Sequence, residues 1–218
     1  MSRPPLYNIF GNPKIMKYVF LLISVIVFFT GCENFTYRQK STEGAEKTRY
    51  ENTLQRELSS GEKTDTIFLG FRFGMTKAEV SRHTRALTKQ GKLTSKGKYL
   101  FTFDEYTTAE AKIGVHYFEG KLYQFQLYVT PTGIVPITVG VKVELYKLYN
   151  EKYDCTVLFS ETPLGTKNIF LRGNLKIELY ERTKDVMVEY SDMNIVKVKE
   201  DMEKEQVEKD MEKAKDDI

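Results

Sequence analysis

The residues equipped for chemistry are few: Cys32 and Cys155, His83 and His116, and the adjacent acids Asp104 and Glu105. Cys32 is set apart by what precedes it. Tyr18 to Phe29 is an uncharged, almost wholly apolar run of twelve residues, and the small Thr30 and Gly31 lead directly to the thiol. A sulfur placed where an apolar segment leaves a membrane is the nucleophile that thioether attachment of a lipid requires. Cys155 would need an activating neighbour to act as a nucleophile; at the start of an apolar-flanked strand it reads as an inert buried thiol. His83 falls on the inner face of a helix, a core or boundary position. His116 lies opposite the apolar stripe of its strand, a half-exposed polar position. Asp104-Glu105 paired with another carboxylate would have the chemistry of a glycosidase, yet they sit at a strand end, where acids are solvated. The sequence contains no H-E-x-x-H, C-x-x-C or G-x-x-x-x-G-K. No catalytic residue, metal ligand or cofactor site is expected.

Stepping along the chain, Lys14 and Lys17 supply positive charge ahead of the apolar run. A basic start, a short apolar core and a small-residue exit form a secretory signal. The run is short of the roughly 20 apolar residues that a membrane span needs. Thr30-Gly31-Cys32 resembles the lipobox of bacterial lipoproteins, a resemblance that covers residues 16–32. It implies a diacylglyceryl group on the Cys32 sulfur, cleavage before Cys32, and acylation of the new N-terminus. Phe29 stands where that family usually has Leu. Each buried methylene adds about 0.8 kcal/mol, so several acyl chains anchor a protein stably where one does not. Glu33 follows, not the Asp associated with inner-membrane retention in that family, so the resemblance implies the outer membrane. Residues 1–15 are foreign to such a signal, and translation is expected to begin at Met16.

The formal charge of +3 counts Arg3, Lys14 and Lys17, so it falls to 0 once residues 1–31 are removed. A neutral chain lacks the basic footprint of a nucleic-acid binder, and no nucleic-acid partner is expected. With Cys32 acylated, Cys155 has no disulfide partner in the chain. Residues 32–63 are polar and read as a tether. Tyr50, Leu54 and Leu58 nevertheless fall on one helical face, so a helix packed on the domain is the other reading.

The domain is expected over residues 64–195, as an α+β fold with helices on one face of an antiparallel sheet. Ile67, Leu69, Phe71 and Phe73 alternate and predict a strand. Thr76 and Glu79 form a capping box, with Met75 and Val80 at the staple positions. The helix they open should run from Lys77 to Gln90, with Val80, His83, Thr84 and Leu87 inward. Alternation then predicts strands at 99–103, 113–117 and 123–129, with a hairpin turn at Glu119-Gly120. A second helix is expected over 137–150, with Val141, Leu145, Leu148 and Tyr149 on one face. Strands at 155–159, 168–172, 175–179 and 186–190 follow, with a turn at Gly173-Asn174. The order helix-then-meander thus occurs twice, as two tandem units with slight sequence identity between them. From residue 196 the chain turns into a charged tail; residues 199–218 carry five lysines against nine acids. It reads as a solvated helix or a frayed end, or as a helix that binds a partner.

Phe73 to Val80, FGMTKAEV, followed by a helix and a meander, resembles small exported lipoproteins of the BamE type. It also resembles the β-lactamase-inhibitor-protein-like fold. Gly91-Lys92-Leu93 stands where the first family has a Gly-x-Pro turn. The resemblance implies recognition through an open sheet face, without catalysis. Phe118, Tyr128 and Tyr180 fall opposite the stronger apolar stripes. If that face is open, they form a patch for a protein or glycan partner; if the sheet is covered on both faces, they are packing residues. The alternative to a binding module is an envelope hydrolase with an unrecognised site.

Overall fold

A computed structural model describes residues 44–132, 137–162 and 165–216, with side chains as far as 212. Cys32 and the signal segment lie outside the described residues. The chain divides into two units, 1–49 and 50–218, and the second contains the sheet. Its helices are the later part of α1 (44–59), α2 (Lys77–Lys89), α3 (Thr138–Lys152) and α4 (Met193–Asp216). Its strands are β1 (Tyr99–Thr102), β2 (Thr108–Phe118), β3 (Lys121–Pro131), β4 (Thr156–Thr162), β5 (Gly165–Arg172), β6 (Leu175–Glu181) and β7 (Val186–Asp192).

All seven strands form one antiparallel sheet in the order β1-β2-β3-β7-β6-β5-β4. Two meanders therefore meet at their last strands, β3 and β7. The composition of β7 suits that central place: Val186, Val188 and Tyr190 are completely buried on one face, and Met187 and Ser191 are buried on the other.

One face carries the main core. Phe125, Leu127 and Val129 of β3, Leu175, Ile177 and Leu179 of β6, and Val186, Val188 and Tyr190 of β7 meet Val80 and Leu87 of α2 and Val141, Leu145 and Tyr149 of α3. Burying a side chain of this size contributes about 1.5–3 kcal/mol, so this face dominates the stability of the fold. The opposite face is covered only in part. Leu54 of α1 and Met193 of α4 enclose Leu158, Ile169 and Leu171, with Tyr50, Leu58 and Val196 around them.

The capping box opens α2 as its spacing requires. Glu79 N donates to Thr76 Oγ1 at 3.3 Å, and Thr76 N donates to Glu79 Oε2 at 2.8 Å. The turns at Glu119-Gly120 and Gly173 take positive φ, which Gly adopts without a Cβ clash. At Gly173 a Cβ would also lie 2.2 Å from the Glu62 carbonyl oxygen. The segment before the sheet is strapped there: Thr64 N donates to Asn174 Oδ1 at 2.7 Å, and Arg172 pairs with Glu62 at 2.6 Å.

Three expectations need correction. Residues 66–73 are not a strand but a tight reversal. Thr66 bridges Arg72, Phe68–Gly70 is a single 3-10 turn, and Leu69 and Gly70 take φ of 52° and 78°. Ile67, Phe68 and Phe71 are all buried, so the apparent alternation came from a loop that drives apolar groups into the core from both sides. Leu148 is exposed, because it lies at the margin of the stripe formed by Val141, Leu145 and Tyr149. The helical tail begins at Met193, directly after β7, and its first turn belongs to the core.

Candidate functional site

The partly covered face can be read row by row from the strand register. One row runs Lys112, Tyr128, Met187, Tyr180 across β2, β3, β7 and β6. The next runs Gly114, Gln126, Glu189, Glu178, Ile169. The third runs His116, Gln124, Ser191, Lys176, Leu171. Ile169 and Leu171 end these rows beneath α1 and α4. The first row, and the β2–β3 end of the others, lie outside that cover.

In the first row, two tyrosines flank the buried Met187, and each carries a cation. The Arg182 guanidinium lies 5.4 Å from the Tyr128 ring centroid, and Lys167 Nζ lies 5.5 Å from that of Tyr180. Arg182 is held in place by Asp185 at 3.3 Å. Gly114 makes room for the Tyr128 ring, since a Cβ there would come within 3.0 Å of it. Such cation–ring contacts contribute about 0.5–1 kcal/mol at exposed sites, enough to order the side chains without burying them. Burial pushes the Tyr180 hydroxyl above its ordinary range.

The second row forms a polar chain. Gln126 Nε2 donates to Glu189 Oε2 at 2.7 Å, while Gln126 Oε1 accepts from the Tyr128 hydroxyl at 2.6 Å. His116 Nε2 lies 3.1 Å from the same oxygen. An ionised carboxylate only accepts, so Glu189 turns the Gln126 amide nitrogen toward itself and its carbonyl toward His116. In that orientation His116 Nε2 is the donor to Gln126 Oε1. Beside this chain lies a hollow of about 480 Å3 lined by Lys98, Glu110, Lys112, Gly114, Tyr128, Thr130 and Asp185. Lys98 and Glu110 are joined to one another as an ion pair.

Of the expected recognition residues, Tyr128 and Tyr180 come together in one row. Phe118 does not. It stands at the far end of β2 beside the hairpin, edge-on to Tyr123 with ring centroids 6.4 Å apart. Six residues separate it from the Lys112 position opposite Tyr128, about 20 Å along a strand. Tyr123 in turn carries Lys199 of α4, 5.8 Å from its centroid. All three aromatics are half-buried and not open platforms. Arg182, Met187, Gln126 and Glu189 were not anticipated. Their association depends on β3–β7 pairing across some sixty residues of chain, for which no local signal exists.

The remaining candidates have structural roles. His83 Nε2 lies 2.9 Å from the Leu69 carbonyl oxygen and its ring stands edge-on to Phe71, closing the 66–73 reversal. Burial pushes the Cys155 thiol up to about 11, away from the thiolate that a nucleophile needs. The Asp104 carboxylate accepts from the backbone of Tyr106 at 2.8 Å and Thr107 at 2.6 Å, and these bonds hold its carboxyl below the usual range. It is a turn-former, and Glu105 beside it is exposed. Among the described residues, no three His, Cys, Asp or Glu side chains are placed to hold a metal ion, and no helix is long and apolar enough to cross a membrane. No known family, curated protein or solved structure matches this chain.

Proposed function

We propose that the protein is a lipid-anchored binding module of a bacterial cell envelope, non-enzymatic and held at the outer membrane through acyl chains on Cys32. The basic, apolar and small-residue sequence of 16–32 supports the anchor. The observation that carries the binding role is the row Lys112, Tyr128, Met187, Tyr180, left outside the cover of α1 and α4 and ordered by Arg182 and Lys167.

The chemistry of that row fits a protein or glycan partner that offers hydrogen-bonding groups and an apolar face to the tyrosine rings. Arg182 and Lys167 are paired with Asp185 and Glu178, so the row offers neutralised cations and tyrosine rings, with the hydrogen-bonding groups of Gln124 and His116 beside them. The same geometry supports recognition over hydrolysis. Glu110 is committed to Lys98, Asp185 to Arg182, and Glu178 to Lys167 and Lys176, while Glu189, opposite Glu178, accepts from Gln126, so the carboxylates of this face are engaged in ion pairs and hydrogen bonds.

Two measurements test the reading. Metabolic labelling with a palmitate analogue should mark the native protein in membrane fractions and leave Cys32→Ser unlabelled; an unacylated native protein overturns the anchor. Affinity capture from native membranes should yield a partner that Tyr180→Ala combined with Arg182→Ala loses, while thermal unfolding confirms that the variant is folded. A partner retained by that variant overturns the assignment of this face.

A further inference from the structure

The two edges of the sheet are unlike. β1 offers four residues before the Asp104 turn, whereas β4 offers seven, Thr156–Thr162. Among the described residues, no strand pairs with the outer side of β4. Sheet edges are ordinarily guarded by shortness, by Lys or Pro, or by a bulge that twists the edge away. β4, TVLFSET, has neither Lys nor Pro, and its register with β5 runs without a shift. Its one charge is Glu161.

This edge carries one large exposed aromatic. Phe159 is 56% exposed, and its ring lies 6.3 Å from that of Tyr146 on α3. Val139 and Val143 precede Tyr146 at helical spacing and are 54% and 46% exposed. Valine is a poor choice for a solvated helix surface. An exposed aromatic on an open row of backbone donors and acceptors is the combination that strand addition uses.

We infer that β4 pairs with β4 of a second copy, antiparallel about a two-fold axis at Phe159, extending one sheet of seven strands into a continuous sheet across the dimer. The strand is complementary to itself in this register. Centring on Phe159 is the one alignment that pairs all seven residues, Thr156 opposite Thr162. It sets Phe159 against Phe159, an aromatic pair. It also places Glu161 opposite Val157, so the only charge of the strand never meets its own copy. Centring on Glu161 would set the two acids against each other and shorten the ladder. The inference is independent of Cys32 and of the Tyr128–Tyr180 row.

Sedimentation velocity of the full chain in mild detergent, over a concentration series, tests it. The native chain should pass from monomer to dimer. Phe159→Glu places two carboxylates on the axis and should weaken the dimer by at least about tenfold, with circular dichroism confirming that the dissociated variant is folded. As a second readout, oxidised Phe159→Cys should yield a peptide linked 159 to 159, since directly opposed Cα atoms lie about 4.5–5.5 Å apart, within disulfide reach. Ser160→Cys, opposite Leu158, should not yield the corresponding link. A native chain that stays monomeric throughout overturns the inference. So does a dimer insensitive to Phe159→Glu with no 159–159 link, and so does a monomer whose β4 edge captures a strand of another protein instead.

Discussion

The two helix–meander halves are alike in topology and unlike in what holds their helices. α2 is specified locally: it has a side-chain cap at Thr76, a reciprocal bond from Glu79, and Lys89 in its last turn. α3 has no side-chain cap, contains Gly140, and opens on two β-branched residues. It compensates through what it buries. Val141, Leu145 and Tyr149 are sealed against the sheet, whereas α2 seals only Val80 and Leu87 and leaves His83 and Thr84 half-buried. The comparison teaches that the same place on a sheet can be occupied by a helix that carries its own signals or by one that depends on the core beneath it.

The strongest way to break the comparison is at Leu145, which is completely buried under α3. Leu145→Ala should cost about 2–5 kcal/mol, seen as a lower urea midpoint. A loss below about 1 kcal/mol would mean that α3 is held by something other than its packing.

The next effect sits where α3 meets β7. The Tyr149 and Tyr190 hydroxyls are hydrogen-bonded to each other in the core, with Tyr153 stacked on Tyr149 at 5.7 Å. Tyr149→Phe leaves the Tyr190 hydroxyl without that partner and should cost about 1–3 kcal/mol, while the double variant with Tyr190→Phe should cost less than the sum of the singles. Additive losses in the double-mutant cycle would show that the two hydroxyls act separately. Burial holds both hydroxyls well above the ordinary tyrosine value of 10.0 and pushes Tyr153 up to about 12. These groups favour the folded state below pH 10, and their contribution is lost as pH rises above it, because the unfolded chain ionises first. Unfolding at alkaline pH should therefore begin later for Tyr190→Phe than its loss of stability at neutral pH implies.

The smallest effect falls on α2. Thr76→Ala should cost about 1 kcal/mol, less than the truncation of α3 at Leu145. It should also change the acid limb. The backbone and side chain of Thr76 hold the Glu79 carboxyl below its ordinary value of 4.5. That contribution is present above pH 4.5 and lost as pH falls through the lowered value. Thr76→Ala keeps the backbone donor and removes only the hydroxyl, so it should flatten stability against pH in this window only in part. Glu79→Gln should remove the dependence due to the box, measured by thermal unfolding from neutral pH to pH 3; an acid limb unchanged in Glu79→Gln would mean that the box contributes nothing in the fold.

What could be read locally tracks this contrast. Thr76 and Glu79 give the start of α2 because a capping box is complete within four residues. Glu119-Gly120 and Gly173-Asn174 give their hairpins because a tight turn has few residue solutions. The reversal at 66–73 escaped because its alternation imitates a strand, and only the Thr66–Arg72 bridge and the φ of Leu69 reveal otherwise. On the candidate face, the side of each strand carrying Tyr128 and Tyr180 was legible from alternation. The row that unites them was not, nor was the distance that removes Phe118.

By itself the sequence determined the order of the elements from α2 to β7, the α+β class and the direction of most apolar stripes, because period and turn chemistry act within a few neighbouring residues. Only the tertiary structure decided that β7 returns to the centre beside β3, that α1 and α4 cover half of the second face, and that Arg182 lies over Tyr128. Those contacts join residues tens of positions apart, and their free energy comes from surfaces that meet only once the chain has closed.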